Sequence, residues 1–369
     1  MRILFVGDTA IFPNDLVDLV ADMGDAWEVE RCNDGAAAIA HAAVITLDVV
    51  IVAPELADMP AATLLGQIRT LRPETSRIAT IADGQAPAAR IIGLAHRFVA
   101  APLAPELLLE AVGSLEELRE LLDNPELRTR IGRVEQLPSP PQLYLSLMHA
   151  LEADEHTSAT DIARLVSGDP AIAAKVLQLC NSAYFSNGRT VTDLRSAVTR
   201  LGISTLRDLV LASEVFSLPG MASSDRAALQ QRALLASRLA KKMLPDTSAE
   251  LGATAALLAD IGLLLPGIRD DREPATDDDA RPGHAEAGAY LLGLWGLPMP
   301  IIEAVAFHRQ PARSSTRSFW VTGAVHVAMA LASGEEPDEA YLARSGVLGR
   351  LPEWRALAES LNAVPAEAG

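Results

Sequence analysis

The run Asp48-Val49-Val50-Ile51-Val52 constrains this chain more than any other segment of similar length. β-Branched side chains at every successive position suit a strand covered on both faces, the habit of central strands in parallel sheets. Parallel neighbours need long crossover connections, usually helices, and the flanking sequence supplies them. Ile3-Leu4-Phe5-Val6 is a short apolar run closed by Gly7-Asp8, and a helical pattern follows in Leu16, Leu19, Val20 and Met23. Trp27-Glu28-Val29-Glu30 alternates as a half-buried strand does, and residues 35–43 form an Ala-rich helical stretch. Residues 61–70, 86–95 and 105–122 read as helices, and 77–82 and 97–100 as strands. Five strands, each followed by a helix, predict an α/β doubly wound parallel five-stranded sheet over residues 1–125. Ligands of such sheets bind at the carboxyl ends of the strands. The residues to inspect there are Gly7, Asp8, Ala53, Ala82 and Ala101.

The order and lengths of these elements resemble a response-regulator receiver domain. Segment 48–61, DVVIVAPELADMPA, is similar to the family's third strand and following loop, and 98–103, FVAAPL, to its fifth strand. The resemblance implies an acidic pair for Mg²⁺ after strand one and a phosphoacceptor Asp after strand three. It also implies a hydroxyl residue after strand four and a Lys before the Pro that follows strand five. This sequence departs from each of them. Gly7-Asp8 replaces the acidic pair, Ala53 the phosphoacceptor, Ala82 the hydroxyl and Ala101, before Pro102, the lysine. Phosphoryl transfer needs a nucleophile and compensating cationic charge, so a pseudo-receiver that cannot be phosphorylated is expected. Asp8 reads as a solvated acid at a strand end, with cation binding the rarer alternative. Asp58 carries a carboxylate in the same loop as Ala53, with nothing to direct it at the pocket.

Residues 113–124 extend the last helix, with Leu115, Leu118, Leu121 and Leu122 at helical spacing. Two heptads or fewer do not define a coiled coil. Packing within the chain is therefore expected, with pairing of two protomers as the alternative. Residues 126–137 link to the second domain, which runs to 369 and opens stiffly on Pro138, Pro140 and Pro141. From there the pattern is helical throughout: 142–152, 158–167, 170–182, 193–201, 203–216, 225–244, 248–265, 284–295, 298–308, 317–333 and 336–346.

Residues 168–202, GDPAIAAKVLQLCNSAYFSNGRTVTDLRSAVTRLG, resemble the core of the HDOD family, a branch related to the HD and HD-GYP hydrolases. The matching features are the Asp169-Pro170 helix start, Asn181-Ser182-Ala183-Tyr184-Phe185, Ala197 and Leu201-Gly202, together with the entry LPSPPQL at 137–143. These read as fold-defining: Asp169 caps a helix, Asn181 and Ser182 bond backbone at its end, and Gly202 breaks the next one. Catalytic relatives hold one or two metal ions through His and Asp on several helices, and the metal acidifies an attacking water. Here the adjacent His-Asp pair is Ala259-Asp260, and no histidine lies between His156 and His284. His284 and His308 are retained, but Arg309 replaces the histidine after His308, and Met329 stands at the last Asp position. The resemblance implies a degenerate site of Ala259, Asp260, His284, His308, Arg309 and Met329, with no metal or other cofactor. Arg309 is expected to place a fixed positive charge beside it, or to meet an anionic ligand. His149, His156 and His326 read as ordinary structural residues. Residues 266–283, PGIRDDREPATDDDARPG, read as a surface insertion that enters just ahead of His284.

The chain carries 31 Lys and Arg against 48 Asp and Glu, a formal charge of −17, and residues 1–125 hold 8 Arg against 19 acids. That field repels a phosphate backbone, so nucleic acid is not an expected partner. Aromatics are only 4 % of residues, which leaves Leu, Ala, Val and Ile to pack the core. Cys32 and Cys180 are far apart and suit a reducing compartment. No signal peptide and no uninterrupted apolar run long enough to span a membrane is apparent, so a cytoplasmic protein is expected. The joint loss of residues in both sites points to a non-enzymatic signal-transduction adaptor acting through protein–protein contacts. Partners of the kinase or cyclic-dinucleotide-enzyme type, or a homodimer, fit it. The alternatives are a residual single-metal phosphohydrolase using Asp260, His284 and His308, and a sensor that binds a nucleotide messenger without cleaving it.

Overall fold

The computed structural model of the chain describes residues 1–12, 15, 18, 19, 22, 27–82, 91, 93–101, 103, 105–134, 158–181, 190–212, 223–273 and 281–363. The expected helix of 142–152, the entry 137–143, Ser182–Phe185, His149 and His156 lie outside these residues, as do most of 86–95 and Leu16, Val20 and Met23.

Five parallel strands, β1 (Arg2–Val6), β2 (Glu28–Cys32), β3 (Val49–Val52), β4 (Ser76–Ala82) and β5 (Arg97–Ala101), pair in the order β2-β1-β3-β4-β5. The reversal beside β1 is that of a doubly wound sheet. All four residues of β3 are buried, as its uninterrupted apolar sequence requires. Asp48 sets its start: one carboxylate oxygen accepts the Arg2 N–H at 2.7 Å, and the other pairs with Arg119. Helices α1 (Gly35–Val44), α2 (Ala61–Leu71) and α3 (Pro105–Leu121) flank the sheet. Asp34 and Asp58 both cap α1, Asp58 by accepting the Gly35 and Ala36 N–H groups at 2.9 Å each.

Helix α4 (Pro125–Gly132), capped by Asn124, leads to the helical domain. Its described helices are α5 (Ala159–Ser167), α6 (Pro170–Cys180), α7 (Leu194–Ala212), α8 (Ser223–Met243), α9 (Asp246–Leu258), α10 (His284–Leu294), α11 (Met299–Phe307), α12 (Val321–Ala332), α13 (Glu339–Arg344) and α14 (Leu351–Ala363). Asp169 caps α6 through the Ala171 and Ile172 N–H groups, with Pro170 in the first turn. Asn181 ends α6 and exchanges two hydrogen bonds with the backbone of Val191, at 2.8 and 2.6 Å. Gly202 kinks α7 with φ 76°, a left-handed conformation that suits glycine.

Three expectations are corrected. The helix expected over 248–265 stops at Leu258, and a 3₁₀ turn (Ile261–Leu264) follows Asp260. A helix that was not expected, α14, closes the described chain and buries Trp354. Residues 246–264 are long and apolar enough to cross a membrane by length and composition. They are 72 % buried inside the fold, where packing accounts for the same pattern.

The two domains share a buried, hydrogen-bonded junction. Helix α10 packs on α3 and α4, and α6 packs on β5. Leu118 of the expected leucine stripe is fully buried, and a Cβ on Gly293 would lie 2.4 Å from its side chain. The stripe therefore packs within the chain. Arg97 of β5 crosses the junction. Its guanidinium donates to the Gly293 and Leu294 carbonyls at 2.6 and 3.1 Å, and to Ala111 O and Ser114 Oγ at 2.6 Å each. A cation here satisfies the last carbonyls of α10 and complements the negative end of its dipole. Arg97→Met is expected to leave these acceptors unpaired and to lower stability by about 2–3 kcal/mol. Urea unfolding and faster protease cleavage at the domain junction are the readouts.

Candidate functional site

At the carboxyl ends of the strands, Ala53 is fully buried, and a Cβ built on Gly7 would meet its Cβ at 2.6 Å. The Phe12 ring is also fully buried and stacks edge-on against Phe5, with centroids 5.0 Å apart. The same Gly7 Cβ would lie 3.1 Å from that ring. Arg31 holds this loop by donating to Gly7 O at 3.4 Å and Phe12 O at 3.3 Å. Ala53 and Phe12 thus both pack against Gly7 at this end of the sheet. Asp8 is exposed, and its Oδ1 is engaged by the Ala10 and Ile11 N–H groups at 3.0 and 3.2 Å. Ala82 and Ala101 are register partners at the ends of β4 and β5, so two methyl groups stand side by side there. Asp58 spends its carboxylate on α1. Ala53→Asp is expected to bury an unpaired carboxylate at this strand end, destabilise the domain by about 2 kcal/mol, and remain unlabelled by a radioactive acyl phosphate.

In the helical domain three residues from different elements converge. Asp260 lies just past the C-terminus of α9, His284 opens α10 and His308 ends α11; all three are buried. Glycine makes the meeting possible: a Cβ on Gly262 would sit 2.0 Å from the His284 carbonyl oxygen. One donor atom from each lies within 4.8 Å of the other two, a spacing suited to an ion. His284 Nε2 is 3.2 Å and His308 Nε2 3.8 Å from Asp260 Oδ1, yet neither nitrogen has an aligned hydrogen-bond partner. The other oxygen, Oδ2, takes Nε–H of Arg232 at 2.6 Å and pairs with a second guanidinium nitrogen. Arg232 and Asp260 side chains are only 12 % and 5 % exposed. Burial alone would raise the Asp260 pKa, but the contact with His284 and the Arg232 charge hold it below the ordinary carboxylate range. Burial pushes His308 down to about 4, against the pull of Asp260.

Ring contacts assign the tautomers. His284 Nδ1 accepts the Asp271 N–H at 2.9 Å, so the proton of a neutral ring sits on Nε2. His308 Nδ1 donates to Val305 O at 2.8 Å, which leaves its Nε2 lone pair facing Asp260. His326 buttresses the site from α12, donating from Nδ1 to His308 O at 2.7 Å and accepting the Asp338 N–H at 2.8 Å. Ala259 and Met329 are buried apolar residues.

The fit to a metal ion is therefore poor. His284 carries its proton on the nitrogen that would ligate, and Arg232 already neutralises the carboxylate. A divalent ion about 5 Å from that guanidinium would be repelled by roughly 7 kcal/mol at an effective dielectric of about 20.

Two expectations are extended here. The cation bonded to Asp260 is Arg232, which no motif pointed to; Arg309 pairs with Glu335 at 2.5 Å while its charge still bears on His308. The acidic segment is more than a surface insertion. Asp271 binds the His284 ring through its N–H and caps α10 by accepting the Ala285 N–H at 3.0 Å. Outside the triad lies a cleft of about 520 Å³ lined in part by Arg269, Asp271, Glu286, Arg309, Gln310 and Arg313. Asp260, His284 and His308 do not line it, and its arginines are paired with Asp271, Glu286 and Glu335.

An HDOD family model matches residues 137–268. The chain thus carries an HDOD domain behind a five-stranded doubly wound α/β domain. The match includes Arg232 and Asp260 and ends before His284. A relative from Treponema pallidum (strain Nichols) is 28 % identical over 201 residues, which cover 48 % of this chain and 38 % of the relative. The chain therefore spans well under two thirds of that protein. Among solved structures the chain is similar to the MmoQ response regulator of Methylococcus capsulatus (20 % identity, 58 % of this chain and 97 % of that one, TM-score 0.46). It is also similar to an HDOD domain protein of Geobacter sulfurreducens (19 % identity, 67 % and 99 %, TM-score 0.30).

Proposed function

We propose that this chain is a non-enzymatic, cytoplasmic signalling adaptor that works through protein–protein contacts. The observation that carries the reading is the set of alanines at the described strand ends: Ala53 is fully buried, and Ala82 and Ala101 stand side by side at the ends of β4 and β5. Among the described residues, alanines stand at the positions where phosphoryl transfer needs a nucleophile, a hydroxyl and a lysine. The buried triad fits the same reading, since Arg232 already occupies its carboxylate. Helix α10 then joins the domains mechanically, with His284 at its start and the Arg97-capped carbonyls at its end. A partner that shifts β5 would move the helical domain with it. Signalling enzymes, such as a kinase or a cyclic-dinucleotide enzyme, suit such an adaptor better than an acidic-surface-averse nucleic acid.

The test assays purified protein against cyclic dinucleotides and bis(p-nitrophenyl) phosphate with Mn²⁺ or Fe²⁺, alongside His308→Ala. No turnover above the variant's background is expected. Turnover that His308→Ala abolishes would overturn the reading in favour of a phosphohydrolase.

A further inference from the structure

We propose that Arg232 is a resident cation standing in for a metal ion, so that the native chain excludes divalent metals and loss of this one side chain admits one. The inference deepens the non-enzymatic reading above and rests on it for the helical domain alone.

Four elements meet at Asp260, and each supplies one piece. Helix α8 brings Arg232, the turn after α9 brings the carboxylate, and α10 and α11 bring the two imidazoles. The division of the carboxylate is specific. Oδ2 is wholly engaged by the guanidinium, at 2.6 Å from Nε, while Oδ1 faces both Nε2 atoms at 3.2 and 3.8 Å. Both Nε2 atoms are buried and face Asp260 Oδ1 without an aligned hydrogen bond. Buried polar atoms are rarely left in that condition. Two imidazole nitrogens and one carboxylate oxygen are a donor set that suits zinc. What the set lacks is charge demand. A carboxylate flanked by neutral rings would attract a cation, but the guanidinium already balances it, fixed on a helix and shielded from water.

Removing Arg232 would leave Asp260 as an uncompensated buried anion between two imidazoles. His308 is already in the ligating tautomer. For His284 to follow, the Asp271 N–H must first release Nδ1, which then takes the proton and donates toward Asp271 Oδ2, now 3.3 Å away, or Asp270 Oδ1, 3.7 Å away. A carboxylate behind a ligating histidine is the common arrangement in metal sites.

The experiment titrates Zn²⁺ into metal-free, full-length protein by calorimetry and follows the thermal midpoint in parallel. Native protein is expected to show no more binding than His308→Ala. Arg232→Ala is expected to bind one Zn²⁺ at least 100-fold more tightly than native protein, with a raised midpoint, and to lose both in combination with His308→Ala. Should Arg232→Ala fail to fold, Arg232→Gln keeps the volume and a polar head, and is read the same way. Stoichiometric, His308-dependent Zn²⁺ on native protein overturns the proposal, as does a folded Arg232 variant that binds no better than native. Metal on native protein without turnover would sink this inference and leave the non-enzymatic reading standing, whereas turnover would sink that reading.

Discussion

Asp260→Ala should destabilise the helical domain by about 3–5 kcal/mol, and adding Arg232→Met should return most of that loss. The argument is one of orphaned charge. The Arg232–Asp260 pair is buried, and the guanidinium has left water for a single carboxylate oxygen. Taking the carboxylate away leaves a cation in a low-dielectric site facing two neutral rings. Taking both charges away removes the orphaned cation, and Met fills much of the volume of the Arg232 side chain beside the two imidazoles. The pair itself is thus worth far less than the cost of breaking it, and the single and double variants separate these quantities. Urea unfolding read by tryptophan fluorescence suits the experiment, since Trp295, Trp320 and Trp354 all lie in the helical domain. Equal losses in the single and double variants would show that Asp260 acts through packing or through the histidines instead.

Much of the architecture was legible because it rests on local pattern. The β3 run, the alternating apolar stretches and the Asp169-Pro170 cap each encode their element within a few residues, and the structure forms them there. Asp260, His284 and His308 were legible as a set only through the family resemblance. Arg232 was not, because its partner is 28 residues away and an arginine inside an amphipathic helix usually faces solvent. Phe12 was missed for a similar reason: an aromatic residue in a loop has no period to betray that it packs against Gly7. Arg309 was legible as a charge beside His308, but its own partner was not. At the end of a helix, successive side chains diverge, and Arg309 finds Glu335. The junction was the least legible part. Arg77, His96 and Arg97 are all buried there, with Arg77 donating to Gly132 O, His96 O accepting from Gln178 and Arg97 donating to the carbonyls that end α10.

That junction sets the expected response to acid. His96 is buried and its pKa is held well below 6.5, by burial first and then by the charges of Arg77, Arg97 and Lys175. Geometry agrees: Nδ1 meets the Arg77 N–H at 3.1 Å, and Nε2 faces an Arg77 guanidinium nitrogen at 2.9 Å. A neutral ring accepts at one of these nitrogens, an imidazolium at neither. Unfolded His96 takes up a proton near its ordinary pKa, and folded His96 does not, so the unfolded state binds more protons as pH falls below about 6.5. Stability contributed by the neutral ring is complete above that pH and declines by about 1.4 kcal/mol per pH unit below it. His308, neutral down to about 4 and facing Asp260, His284 and Arg309, adds a second loss of the same sign. His326, also lowered chiefly by burial, and Lys175, lowered to about 7, act with the same sign, so urea midpoints at pH 7.5, 6.5, 5.5 and 4.5 should fall steadily. His96→Gln, whose amide oxygen still accepts from Arg77, should make that fall shallower. An unchanged slope in that variant would place the acid sensitivity elsewhere. Each group acting on His96 is a cation, and each belongs to an element at the junction: Arg77 to β4, Arg97 to β5 and Lys175 to α6. A proton added there loosens the contact between the domains before it disturbs either core, so acid should uncouple the two halves at a pH where each still folds.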